Sequence, residues 1–306
     1  MAVALYTHLD MLQHRPTEGH PERPERLMAV TGALGDASDL KLEPRAAPLI
    51  DAADLVLVHD DAYVRAIEQA APVFGTIRLD ADTEMSPGSL AAARRAAGAV
   101  VAAVRAVAAG EVQRAFCAVR PPGHHAGPAR AMGFCLFSNV AIAARAAQAA
   151  GLRRVAVADF DVHHGNGTQA VIETDRDLFF ASVHQSPGYP GTGDPSEVGL
   201  GNVANAIVPP GAARQAWRRA FDGLMERVDA FAPDLILISA GFDAHARDPL
   251  AEQSLEAKDF AWATRAVVSV ANRHCGGMLV SSLEGGYDLA GLATSAVAHV
   301  RALQEI

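Results

Sequence analysis

Residues 155–167 read VAVADFDVHHGNG, a short β-forming run that ends in two carboxylates and two imidazoles, Asp159, Asp161, His163 and His164. In an extended chain, positions i and i+2 project to the same side. Asp161 and His163 therefore converge on one cation, with Asp159 behind them. Aspartate oxygen and imidazole nitrogen are both ordinary zinc ligands. The pattern recurs at residues 235–245, LILISAGFDAH, where an apolar strand delivers Asp243. Three protein ligands with a fourth position open is the arrangement of catalytic rather than structural zinc, because water and substrate need that place.

Two more strands end in polar loops. Residues 119–127, VRPPGHHAG, set the tandem His124 and His125 between prolines and glycines. An imidazole that titrates near pH 6.5 suits proton transfer from water to a leaving amine. Residues 283–287, LEGGY, follow a strand at 278–283; the glycines allow close backbone approach, and Tyr287 carries a phenol able to donate to an oxyanion. Taken singly, each feature has a plain alternative: a loop pair, a tight turn with a packed tyrosine, an aspartate capping a helix. Four strand ends supplying the groups that one hydrolysis requires is the informative observation.

Around these motifs, strands at Val3 to Tyr6, Ala115 to Val119, Val155 to Asp159, Leu178 to Val183, Leu235 to Ala240 and Met278 to Leu283 alternate with helices. The helices read as Leu90 to Ala109, Asn139 to Ala150, Arg214 to Phe231 and Phe260 to His274, each long enough to cross back over a sheet. The expectation is an α/β fold, a single open parallel sheet flanked by helices on both faces, with residues 1–306 as one domain. In such sheets ligands bind beyond the carboxyl ends of the strands, where the loops at 120–128, 186–195 and 208–211 gather proline and glycine.

Half of the 306 residues are apolar, but no run approaches the ~20 needed to span a bilayer. The first residues carry His8, Asp10 and His14 where a signal peptide needs an apolar stretch. A net charge of −9 with scattered basic residues disfavours nucleic-acid binding. Cys117, Cys135 and Cys275 are three in number, far apart and without CxxC spacing, which fits a reducing cytoplasm rather than a disulfide framework or thiolate zinc site.

From end to end the chain resembles the histone deacetylase family. The resemblance is carried by HPERPERL at 20–27, RPPGHHA at 120–126, MGFCLFSNVAIAA at 132–144, DFDVHHGNGTQ at 159–169, SVHQSPGYPGTG at 182–193, SAGFDAHARDPL at 239–250 and LEGGY at 283–287. It implies the arginase/deacetylase fold and hydrolysis of acetyl-lysine or another acylated amine. It makes Asp161, His163 and Asp243 the ligands of one zinc, His124 and His125 the tandem histidines, and Tyr287 the oxyanion donor. Asp159 would bond His124. Asn166 would face His125, where class I members usually have aspartate, and with GFCLFSN and LEGGY it points to the class II-like branch. An amide does not stabilise imidazolium as a carboxylate does, so His125 is expected to act as general base and then acid.

The resemblance also places Phe134 and Tyr189 as tunnel walls, with Gly133 and Gly285 beside the substrate and Asp82, in competition with Asp80, as the rim carboxylate. A structural potassium would sit at Asp159, Ser182 and Val183. Homo-oligomers are compatible with it. Two rivals compete. A two-manganese arginase-like enzyme wants aspartates where this chain has Gly165 and His245, and a non-catalytic sensor of acetylated ligands has no need of the proton-transfer groups. No GxSxG elbow supports a serine hydrolase.

Overall fold

The computed structural model describes residues 1–305. Its strands are β1 (Val3–Thr7), β2 (Leu42–Ala46), β3 (Ile77–Arg78), β4 (Glu84–Met85), β5 (Arg114–Cys117), β6 (Val155–Asp159), β7 (Leu178–Gln185), β8 (Val203–Val208), β9 (Leu235–Ala240) and β10 (Leu279–Leu283). Eight of them form one sheet in the order β2-β1-β5-β10-β9-β6-β7-β8, and every pairing in it is parallel. The central strands β5, β10, β9 and β6 are buried along their whole length. That is why VAVA in β6 and LILI in β9 read as unbroken apolar runs: each strand has helices over both faces and cannot alternate.

Helices α1 (Pro24–Asp36), α2 (Ala52–Leu55), α3 (Asp61–Ala70), α4 (Ser89–Ala108), α5 (Asn139–Ala149), α6 (Asn166–Ile172), α7 (Arg214–Phe231), α8 (Ala257–His274) and α9 (Leu289–Leu303) complete the fold. They make two groups, α4 packing on α5, and α1, α9, α8 and α7 packing in succession. Four alanines of α4, Ala92, Ala96, Ala99 and Ala103, are fully buried. Small side chains let that helix lie close on the sheet. None of the described helices is long and apolar enough to cross a membrane.

The expected strands and crossing helices are present, with ends moved by up to three residues; α8, for instance, begins at Ala257 because Glu256 and Asp259 form a capping box there. The sequence reading lacked β2 and β8, the two sheet edges. Strand β2, LEPRA, carries a proline and charged side chains, which an edge strand tolerates and which hide it from an apolar pattern. It also lacked the antiparallel β3–β4 hairpin, which closes the segment containing Asp82.

Parallel order matters for function because all strands end on one rim. The loops after β5, β6, β9 and β10, four neighbours in the sheet, carry His124 and His125, Asp161 and His163, Asp243, and Tyr287. Ile238 is fully buried at the middle of β9, the strand that delivers Asp243. Ile238→Ala is expected to lower unfolding free energy by about 2–5 kcal/mol, read from the urea midpoint at constant slope; an unchanged midpoint contradicts the packing described.

Candidate active site

Asp161, His163 and Asp243 each offer one donor atom, and these atoms lie within 4.8 Å of one another. His163 Nδ1 is 3.1 Å from Asp161 Oδ1 and 3.1 Å from Asp243 Oδ2. The carboxylates are aimed by backbone amides: Gly285 N donates to Asp161 Oδ2 (2.8 Å), and Val162 N to Asp243 Oδ1 (2.8 Å). A Cβ on Gly285 would run into both carboxylates, so that loop approaches this closely only as glycine. Burial disfavours charge on His163, but Asp161 and Asp243 outweigh it and hold its pKa at about 10. A proton therefore stands where the donor set fits a divalent cation.

The tandem histidines differ sharply. His124 Nδ1 meets Asp159 Oδ2 at 3.0 Å, whereas His125 Nδ1 meets the amide oxygen of Asn166 at 2.8 Å. Burial would lower the His124 pKa, yet the Asp161 and Asp159 carboxylates raise it to about 10. Burial and the cationic His124 and His163 beside it push His125 well below the ordinary imidazole value. With Nδ1–H donated to Asn166, His125 keeps a lone pair on Nε2.

A cavity of about 190 Å³ in front of these groups is lined by Asp82, His125, Gly133, Phe134, His163, Tyr189, Leu250 and Tyr287. Phe134 adopts a left-handed backbone, φ 68°, next to Gly133 at φ 56°. For a non-glycine residue this is costly, about 1–2 kcal/mol, and the surroundings hold it in place. Asp82 Oδ1 accepts Gly133 N (3.0 Å) and Thr83 Oγ accepts Phe134 N (3.0 Å). Asp80 instead pairs with Arg130 at 2.8 Å, away from the cavity. Tyr189 meets the His125 ring edge-on at 5.1 Å, and Phe134 meets Tyr287 at 5.8 Å. Burial raises the Tyr287 phenol well above its usual pKa, with Arg26 opposing, so it is a proton donor at neutral pH.

Gly285 lies against the Asp161 and Asp243 carboxylates. Asp159 and Ser182 are register partners on β6 and β7, both fully buried, but the Ser182 hydroxyl already meets His184 Nδ1 at 3.0 Å. Val183 lies next along β7, also buried.

Several site residues escaped the sequence reading although they sit inside its motifs. Buried Arg26 donates to Gly286 O (2.6 Å), Glu284 O (2.5 Å) and Glu22 Oε1 (3.0 Å), and its guanidinium lies 4.8 Å from the centre of the Tyr287 ring. Arg120 forks onto both Glu22 oxygens at 2.6 Å. Glu284 Oε2 accepts Gly123 N (2.6 Å) and His124 N (3.1 Å), fixing the histidine loop from below. Apart from the i,i+4 pair of Arg26 with Glu22, these partners lie 98 or more residues apart, so no local pattern signals them.

An eight-stranded parallel sheet with this rim is the arginase/deacetylase fold. The solved structure described as "Crystal Structure of HDA15 HD domain" superposes with a TM-score of 0.93 at 36% identity, covering 99% of this chain and 88% of that one. The family profile described as "Histone deacetylase domain" matches residues 20–303. A "Probable deacetylase" of Archaeoglobus fulgidus is 38% identical over 302 residues, 95% of this chain and 83% of that protein. A "Histone deacetylase-like amidohydrolase" of Pseudomonas aeruginosa is 42% identical over 278 residues, 88% and 73% of the two chains. The chain belongs to the histone deacetylase family.

A proton held on His163 at a pKa of about 10 has to leave before a cation takes its place. Divalent-metal affinity of the metal-free protein is therefore expected to rise with pH, about tenfold per unit near neutrality. Calorimetry in buffers of different ionisation enthalpy is expected to show about one proton released per metal bound; release of none contradicts the arrangement.

Proposed function

We propose that this chain is a zinc-dependent deacetylase that hydrolyses the amide of acetyl-lysine or a related acylated amine. The observation that carries the reading is geometric: His124 on the Asp159 carboxylate and His125 on the Asn166 amide stand side by side against the Asp161, His163 and Asp243 donor set, beside a cavity walled by aromatic rings. A three-donor set with one member, His163, on the cavity wall suits a catalytic zinc, and when bound the ion would supply Lewis acidity to the carbonyl and to a water. A structural potassium at Asp159, Ser182 and Val183 belongs to the same proposal, supported by the Asp159 carboxylate and Ser182 hydroxyl buried on neighbouring strands, with Val183 offering only its carbonyl. Three buried free cysteines support a cytoplasmic setting.

The chain's own residues then divide the work. Phe134 and Tyr189 hold the methylene stem, and Asp82 faces the tunnel near its mouth. His125 Nε2 takes a proton from the attacking water as oxygen bonds to the acyl carbon. The Tyr287 hydroxyl donates to the developing oxyanion, and the His124 imidazolium adds positive charge beside it. As the C–N bond breaks, His125 returns the proton to the nitrogen, so that amine and carboxylate leave.

A two-metal reading has less support, because among the described residues only Asp161, His163 and Asp243 form such a donor group. The test is turnover of a fluorogenic acetyl-lysine peptide with and without chelator, together with metal analysis. Chelator-sensitive hydrolysis and one zinc per chain are expected. Binding without turnover supports a sensor instead, and two manganese ions per chain an arginase-like enzyme. Tyr287→Phe is expected to lower kcat by about 10²–10³ with metal content unchanged.

The pH dependence follows from His125, whose pKa is held low by burial and by the charge on His124 and His163. Activity requires neutral His125 and is lost as pH falls through its pKa. Asn166→Asp places a carboxylate on Nδ1–H and raises that pKa, so the acid limb of kcat/KM is expected to move up by about one unit or more. An unmoved or lowered limb contradicts His125 as the base.

A further inference from the structure

Tyr287 follows two residues that have to be glycine. Gly285 lies against the Asp161 and Asp243 carboxylates, and Gly286 has φ +120°. A Gly-Gly pair is a loose tether for a side chain whose hydroxyl must meet a reacting oxygen. Neighbours hold the glycines themselves: Gly285 O accepts Phe242 N (3.0 Å), and Gly286 O accepts Arg26 Nε (2.6 Å). The N–H of Tyr287 has a different partner. Helix α9 starts at Leu289 with Asp288 as its cap, so this N–H lies upstream of the helical ladder and donates to Asp248 Oδ2 at 2.7 Å.

Asp248 is itself well fixed. Its loop, which leaves β9 through Asp243, is closed at the base by Ala246 N to Leu255 O (2.8 Å) and Leu255 N to Ala244 O (3.1 Å), and Asp248 N donates to His245 O (2.8 Å). The carboxylate is 8% exposed. Oδ2 also faces Asp288 N at 3.4 Å, while Oδ1 accepts Leu250 N at 3.0 Å. Tyr287 and Leu250 both line the tunnel, and Asp248 does not.

We propose that Asp248 is the positioning residue of this site, one buried carboxylate whose two oxygens set the backbone of Tyr287 and of the wall residue Leu250. The inference rests on the deacetylase reading for its catalytic consequence. Asp248 touches no substrate; it acts through Tyr287. Removing it frees a buried N–H beside a glycine hinge and lets the phenol wander, and a displacement of about 1 Å from productive geometry is enough to cost about 10²-fold in rate.

The test compares Asp248→Ala, Asp248→Asn, Tyr287→Phe and the double variant Asp248→Ala/Tyr287→Phe on the acetyl-lysine peptide, with amide hydrogen exchange on the segment 284–290. Asp248→Ala is expected to lower kcat by about 10- to 100-fold with KM moving less than about threefold and metal content unchanged. Asp248→Asn, which keeps one acceptor oxygen, should recover part of that loss. In the Tyr287→Phe background Asp248→Ala should lower kcat no further, because the group it positions is gone. Exchange across 284–290 should speed up in Asp248→Ala while that of the central strands stays put. Additive losses in the double variant, or unchanged exchange, overturn the proposal while wild-type turnover leaves the deacetylase reading standing. Absence of wild-type turnover overturns that reading and, with it, the catalytic role of Asp248; the exchange result then decides the clamp alone.

Discussion

Two buried carboxylates, Asp161 and Asp243, face one imidazole nitrogen, and the rest of the rim is arranged around that need for positive charge. Neither side chain reaches solvent, and burying an uncompensated charge is among the costliest things a fold does. The like charges also oppose each other: burial and Asp161 raise the pKa of Asp243, while cationic His124 and His163 overcome burial and lower that of Asp161. In the protein alone, a proton on His163 and amides from Gly285 and Val162 satisfy the pair. The same donor set fits a divalent ion, and the bonds that aim its carboxylates also hold the loops that carry them.

That constraint propagates to the histidines. His124 shares the field of Asp161 and holds its proton. Its charge then works against a second proton on His125, 4.0 Å away between ring centres. The partners on Nδ1 preserve the separation, because the Asp159 carboxylate supports imidazolium at His124 through its charge while the neutral Asn166 amide at His125 offers only a hydrogen bond. Two chemically identical side chains, adjacent in sequence, are pushed in opposite directions, His124 up by Asp161 and Asp159 and His125 down by burial and by the charge on His124 and His163.

Behind the reacting groups lies charge that never meets the cavity. Glu22, Arg26 and Arg120 are fully buried and bonded to one another, to main-chain carbonyls of the tyrosine loop and to the N-terminal segment. Buried ion pairs contribute little net stability relative to apolar packing, but leaving one partner alone is severe. Their effect here is positional. Arg26 ties Glu284 and Gly286 to α1, and Glu284 in turn grips the amides of Gly123 and His124. The tyrosine loop and the histidine loop are thereby referred to one frame.

The sequence by itself determined the parallel α/β class, the four strand ends that bear the chemistry, and the identity of Asp161, His163 and Asp243 as a candidate donor set. These were legible because a doubly covered strand is a continuous apolar run, and a polar cluster ending such a run stands out. Tertiary structure alone decided which carboxylate turns inward at the rim, Asp82 rather than Asp80, since that depends on the β3–β4 hairpin and on Gly133 lying against it. It also decided that Gly285 lies against the Asp161 and Asp243 carboxylates, and that Asp248 and Glu284 bond the backbones of the tyrosine and histidine loops. Periodicity reports what a residue does to its near neighbours. Hydrogen bonds that span from 39 to 161 positions form only once the sheet has brought its strand ends together, and no local pattern records them.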